Sequence, residues 1–196
     1  MKKFILIASL LMSSAVMAQS GVEFTFEREE ATASPNAMTN TVKVAPYVKL
    51  DNGIKLDIQF GADRKDGSSS GNNYALANSV ELRAQQMYQV LPGMKLGARV
   101  SVGEKFNGSN AAGNTVDFSY YTIEPKASYA VTDSLSLAAA WRYRNSFSDA
   151  VNYETRTWKV GADYAVSKKD EVGFRYFTKR GDSNTNGVEV AYSRSF

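Results

Sequence analysis

The sequence contains no cysteine, no histidine and only four prolines. The first two absences exclude disulfide staples, thiolate nucleophiles, Cys/His zinc sites and every catalytic scheme that uses imidazole as its proton shuttle. Long apolar runs are missing as well: beyond residue 18 no segment offers the roughly 18 consecutive apolar residues that a transmembrane helix needs. With 196 residues, 43% apolar and 22% charged, the chain suits one folded domain rather than a disordered tail. Binding, transport and scaffold roles remain, together with carboxylate or lysine chemistry.

The first 18 residues read as a secretory leader. Met1-Lys2-Lys3 is a basic start, Phe4 to Met12 a short apolar stretch, and Val16-Met17-Ala18 precedes the expected cut before Gln19. Taking 18 residues and two lysines from 196 residues and 23 basic side chains leaves 178 and 21, against 20 acidic ones, a net charge of +1. The high isoelectric point therefore owes much to the leader, and a nucleic-acid partner is not expected. Export across a bacterial inner membrane is.

Residues 19–196 show alternation. Val22, Phe24 and Phe26 interleave with Glu23, Thr25 and Glu27, and this period of two recurs down to Val188, Val190 and Tyr192 against Glu189, Ala191 and Ser193. Ten such segments begin near Val22, Thr41, Ile54, Ser79, Met94, Phe118, Leu135, Thr155, Glu171 and Gly187. Most have about the 9 to 12 residues that a tilted strand needs to cross a bilayer. Their connections alternate in length. Short turns fall at Asp51-Asn52-Gly53, Leu91-Pro92-Gly93, Thr132-Asp133-Ser134 and Ser167-Lys168-Lys169-Asp170; polar loops are expected over 28–40, 65–78, 107–117, 145–154 and 181–186. The pattern predicts an all-β fold: a transmembrane antiparallel up-and-down barrel of about ten strands in the bacterial outer membrane, both termini on the periplasmic side.

A soluble sandwich or lipocalin-like barrel alternates equally well, so the two readings differ only in which stripe faces in. Aromatic positions favour the membrane. Tyr88, Tyr129 and Tyr164 each lie three residues before a short turn, and Tyr192 and Phe196 hold the comparable end of the last segment, as an inner girdle requires. Phe60, Tyr121, Trp141, Tyr143, Trp158 and Tyr176 would form the outer girdle. Val188, Val190, Tyr192 and Phe196 together resemble the C-terminal assembly signal of bacterial outer-membrane β-barrel proteins, which implies recognition by the barrel-assembly machinery.

Pro46 and Pro125 fall within strands and are expected to create bulges. Gln86 would face lipid. Arg28, Arg64, Arg156 and Arg180 fall on the apolar face at the outer strand ends, where guanidinium groups could meet lipopolysaccharide phosphates or simply be solvated rim charges.

With the ionic stripe inward, strands five to nine hold nine bases and three acids, whereas strand ten and strands one to four hold four bases and six acids. A basic wall facing a more acidic one sets up a transverse field in a narrow polar channel. The expected pore-lining bases are Arg83, Arg99, Lys126, Arg142, Arg144, Lys159 and Arg175, opposed by Asp57, Glu81, Glu124, Asp163 and Glu189. Small inward residues, among them Gly61, Gly97, Gly103, Ala138, Ala140, Gly161 and Gly173, would leave room beside the bases. Mutual neutralisation in a closed lumen is the alternative, since about eight strands leave an interior that side chains fill.

The stretch Ile123-Glu124-Pro125-Lys126-Ala127-Ser128-Tyr129, Val131-Thr132-Asp133-Ser134-Leu135-Ser136-Leu137 and Trp141-Arg142-Tyr143-Arg144 resembles the oligogalacturonate-specific porins. That resemblance implies a monomeric channel for acidic oligosaccharides, with Arg142 and Arg144 lining it; the family has about one more hairpin, which leaves pore width and substrate open. A porin for small anionic solutes is thus the first functional reading. A non-conducting anchor or adhesin acting through its outer loops is the second, and Arg180-Gly181-Asp182 reads as a turn. Enzymatic function is not expected: paired acids such as Asp57 and Glu81 are more simply partners of nearby bases, and no metal-ligand or phosphate-loop spacing occurs. No cofactor is expected; the partners are outer-membrane lipid, lipopolysaccharide and an anionic solute.

Overall fold

A computed structural model describes residues 17–66, 74–109, 115–151 and 153–196. All but the last two residues of the expected leader lie outside them. The strands are β1 (Met17–Ala31), β2 (Ser34–Leu50), β3 (Lys55–Asp66), β4 (Tyr74–Leu91), β5 (Met94–Ser109), β6 (Thr115–Ala130), β7 (Leu135–Ser146), β8 (Thr155–Ala165), β9 (Asp170–Gly181) and β10 (Thr185–Ser195). Each pairs antiparallel with its neighbours in sequence, and β1 pairs with β10 from Gly21↔Ser195 to Ala31↔Thr185, closing the barrel. Closure removes the free edges that an open sheet of this size would expose.

The short turns form where their residues dictate. Gly53 and Gly93 supply the left-handed backbone, at φ 84° and 76°. The Thr132 hydroxyl accepts from the amides of Ser134 and Leu135, and that of Ser167 from Lys169 and Asp170.

Two expectations are corrected at the strand level. Residues 28–40 are not a loop: β1 and β2 continue as a ladder to the Ala31↔Ser34 pair, leaving Thr32 and Ala33 as the connection. Strands of 15 to 18 residues in β1, β2, β4, β5 and β6 outrun the bilayer, so polar residues beyond it stay paired in water. The prolines make no bulge either. On β2·β3 the pairs Val44↔Phe60 and Tyr47↔Asp57 flank Pro46 in one register, as Ile123↔Tyr143 and Lys126↔Ala140 flank Pro125 on β6·β7. The missing N–H interrupts the ladder without displacing it. The shifts that do occur lie toward strand ends, at Met17/Gln19, Glu30/Ala31, Gln89/Leu91 and Lys105/Gly108.

Burial is inverted relative to a soluble barrel. Asp57, Arg83 and Glu124 are 3%, 3% and 2% exposed, whereas Phe60 and Trp158 are 51% and 62% exposed. Ionic residues fill the interior and aliphatic and aromatic ones coat the outside. Tyr88, Tyr129, Tyr164 and Phe196 project outward at the short-turn end and Trp158 toward the other, whereas Phe60 and Tyr176, expected in the outer girdle, project outward from the middle of β3 and β9. Gln86 meets its polar demand on the outer surface by donating to the Asn52 carbonyl at 3.2 Å.

Candidate functional site in the charged lumen

Alternation sends every second residue of a strand inward, so ten strands deliver rows of ionic side chains to one enclosed space. They bound two cavities. The outer one, about 760 Å³, lies toward the long connections and is lined by Glu29, Asp63, Glu81, Lys105, Arg144 and Lys179 among others. The inner one, about 620 Å³, lies toward the short turns and contains Glu23, Lys55, Arg83, Arg99, Lys126 and Arg175. Glu27, Lys43, Gln59, Arg142 and Lys159 line both. These five form the layer where the cavities meet.

That layer is tied by ion pairs that span the lumen. Glu27 on β1 meets Lys43 of β2 at 2.5 Å and Lys159 of β8 at 3.4 Å, and Lys159 also pairs with Glu189 of β10. Arg142 Nε lies 2.5 Å from Glu124. In a cavity walled by protein such contacts are less screened than surface pairs, and losing one partner leaves a costly unpaired charge.

In the outer cavity each of three bases has one principal acid. Lys105 meets Asp63 at 2.8 Å, Lys179 meets Glu29 at 2.6 Å and Arg144 meets Glu81 at 3.0 Å. Hydroxyls complete the acids' bonding: Thr41 donates to Asp63, Thr185 to Glu29, and Ser101 and Tyr120 to Glu81. In the inner cavity Arg83 pairs with Asp57 and, at 3.5 Å, with Glu23, while Arg175 grips Asp163 through two contacts at 2.5 and 2.7 Å. The expected basic and acidic walls therefore reach one another through paired side chains, notably Lys159 to Glu27 and Arg144 to Glu81.

Four aromatic residues inside the outer cavity escaped the sequence reading. Phe118, Tyr120 and Phe177 are buried, and Tyr153, from the β7–β8 connection, turns in to meet Phe118 and Tyr120 with ring centroids 4.6 and 5.6 Å apart. Cations lie over them: Arg144 over Tyr120 at 4.6 Å, Lys105 over Tyr153 at 5.5 Å and Lys159 over Phe177 at 5.4 Å. Parity was the available signal, since Phe118 and Tyr120 share it with Thr122 and Glu124. Much of the room expected beside small residues is taken by neighbours. A Cβ on Gly103 would lie 2.7 Å from the Tyr120 ring, and one on Gly161 2.8 Å from the Arg175 side chain. Space remains beside Ser128, Ala138 and Ala140, which line the inner cavity.

The rim arginines lie outside the lumen. Arg64 is 3.0 Å from Asp66, Arg156 pairs with Glu154, Arg28 contacts the Met38 sulfur, and Arg180 donates to the carbonyls of Lys179 and Thr185. Arg156 and Arg180 stand directly opposite on β8·β9. The expected turn at Arg180-Gly181-Asp182 is corrected: Arg180 and Gly181 are the last paired residues of β9, with Gly181 at φ 121°, and Asp182 follows the strand with its amide bound to the Glu154 carbonyl. Val188, Val190, Tyr192 and Phe196 lie along the outer surface of the β10 end, where the Phe196 amide donates to the Ser20 carbonyl of β1.

No protein-family model and no curated protein sequence matches the chain. Solved structures do match its fold. The β-domain of the Bordetella autotransporter BrkA aligns over 90% of this chain and 98% of its own, at 10% identity and a TM-score of 0.57. An outer-membrane channel from Pseudomonas putida F1 aligns over 94% and 98%, at 10% identity and 0.56, and the KdgM porin over 89% and 99%, at 14% identity and 0.50. At these identities the likeness concerns the fold, which channels and autotransporter domains share. A soluble barrel would have turned its ionic stripe to water; this chain turns it inward and offers lipid the other, and it is a small β-barrel of the bacterial outer membrane.

Proposed function

We propose that the barrel is a narrow passive channel for small anionic solutes, with acidic oligosaccharides as the class suggested by the resemblance of its 123–144 hairpin. The observation that carries this reading is the sign of the lumen. Ten bases and six acids line the inner cavity, and seven bases and five acids the outer one. A positive, water-filled bore concentrates anions and repels cations. Arg83, Arg99, Lys126, Arg142, Arg144, Lys159 and Arg175 supply the field, while Asp57, Glu81, Glu124, Asp163 and Glu189 hold these bases against the wall and lower its net charge. The shared layer around Glu27 and Lys159 is the resting constriction: an anionic solute passes by exchanging its own carboxylate for those of Glu27 and Glu189 on Lys159. Such exchange keeps each cation paired throughout, which a neutral solute cannot do.

Planar-bilayer recording of the refolded chain tests this reading. Under a tenfold potassium chloride gradient the reversal potential is expected on the chloride side of zero; a cation preference would contradict it. The same paired layer, with Tyr153 folded into the outer cavity, favours the second reading, a closed barrel that anchors its outer connections. Absence of current in the wild type and in a Lys159→Ala variant would support that one.

A further inference from the structure

The inner cavity contains a cluster whose charges do not match. Glu124, buried on β6, is, among the described residues, the one carboxylate within ion-pair distance of Arg142, at 2.5 Å, Arg99, at 3.6 Å, and Lys126, at 4.0 Å. Arg142 takes Oε2 at hydrogen-bonding distance, so Arg99 and Lys126 are left with an Oε1 beyond their reach as a hydrogen-bond acceptor. What they do bind is neutral. The Gln85 amide oxygen accepts from Arg99 Nη2 at 3.0 Å and Nε at 3.2 Å, and from Lys126 Nζ at 2.9 Å.

An amide oxygen has two lone pairs and no formal charge, yet here it serves three donors on two cations. A carboxylate in its place would form charge-assisted bonds about twice as strong, and the Arg99 fork suits one bidentately. The neighbouring acids are committed. Glu23 lies 3.0 Å from Lys55 and 3.5 Å from Arg83, and Asp57 pairs with Arg83. Lys95, one row nearer the short turns on β5, has no carboxylate within ion-pair distance among the described residues and adds to the positive field. Ser128, Ala138 and Ala140 keep the adjoining wall low.

We propose that Arg99 and Lys126 form a carboxylate-binding site that opens toward the short turns, with Gln85 holding the two cations in place when the site is empty. It rests on the anionic-channel reading and adds a direction to it. Anions bind on the periplasmic side of the Glu27–Lys159 layer, whereas in the outer cavity Lys105, Lys179 and Arg144 each hold an acid of their own and, among the described residues, share no neutral acceptor of this kind. A solute carboxylate displaces the Gln85 oxygen and takes the Arg99 fork, with the Lys126 ammonium as a second donor.

Calorimetric titration of citrate into the refolded full chain in detergent, at low salt, tests the proposal. The wild type is expected to bind, and Arg99→Gln with Lys126→Gln to bind at least about tenfold more weakly, the factor that losing charge-assisted hydrogen bonds implies. Gln85→Glu is expected to lose binding to a similar degree, because the new carboxylate takes both cations; since it adds a buried ion pair rather than removing one, it guards against a folding defect. Asp63→Asn with Lys105→Gln, which removes a matched outer pair, is expected to stay within about twofold of wild type. Failure of the wild type to bind, undiminished binding by Gln85→Glu, or equal loss in the outer double variant would overturn the site. Current through the same preparations separates the two readings. Anion-selective current without citrate binding overturns the site and leaves the channel, whereas citrate binding without current supports the site and removes the channel.

Discussion

The two halves of the lumen use the same residue types in different proportions. In the outer half Lys105, Lys179 and Arg144 each have their own acid, and hydroxyls from Thr41, Thr185, Ser101 and Tyr120 finish the bonding of those acids. In the inner half Glu124 alone faces three cations, two of which turn to an amide. Satisfied pairs packed beside aromatic rings give a half that holds its shape. Cations in excess of acids give a half that accepts an anion.

Four substitutions would break or sharpen this contrast, each read as a change in unfolding free energy by urea titration in lipid vesicles. Glu124→Gln carries the largest expected effect, a loss of about 3 kcal/mol, because it leaves Arg142, Arg99 and Lys126 without their common acid. A change as small as an outer pair's would show that the three cations are already solvated and that the mismatch is only nominal. Lys159→Met comes next, at about 2 kcal/mol, since Glu189 loses its cation while Glu27 keeps Lys43. Asp63→Asn should cost about 1 kcal/mol: the amide still accepts from Lys105 and Thr41, and both charged partners are partly hydrated. Arg64→Gln, at the outer rim beside Asp66, should change stability by less than about 0.5 kcal/mol, as an exposed pair does. A reversed order between Glu124→Gln and Asp63→Asn would remove the distinction between the halves.

Much of the architecture was legible because a strand has a period of two and a barrel has one inside. Parity alone assigned Arg83, Arg99, Lys126, Arg142, Arg144, Lys159 and Arg175 to one stripe, and turn residues such as Asn52-Gly53 and Pro92-Gly93 set the hairpins. Strand ends were less legible. Residues 28–40 are polar in the manner of a loop, but a ladder extending past the bilayer is also polar, so Glu29 was missed as the inward partner of Lys179. Pairings across the lumen were not legible at all. Lys159 reaches Glu27 past two intervening strands because tilt and closure bring the two to one level, and strand order carries no such information. The inward rings of Phe118, Tyr120 and Phe177 were hidden for a different reason: an aromatic in a polar stripe looks like a girdle residue until the register fixes its side.

All of this depends on which stripe meets lipid. Because the chain contains no cysteine, a single one can be placed at will, and neighbouring positions of β8 serve best. Cysteines introduced in turn at Lys159, Val160, Ala162 and Asp163, omitting Gly161 where a Cβ has no room, would each carry a small fluorophore, in vesicles containing brominated lipid. Strong quenching at positions 160 and 162, with little at 159 and 163, is the predicted result; the opposite alternation, or uniform quenching, would contradict the account.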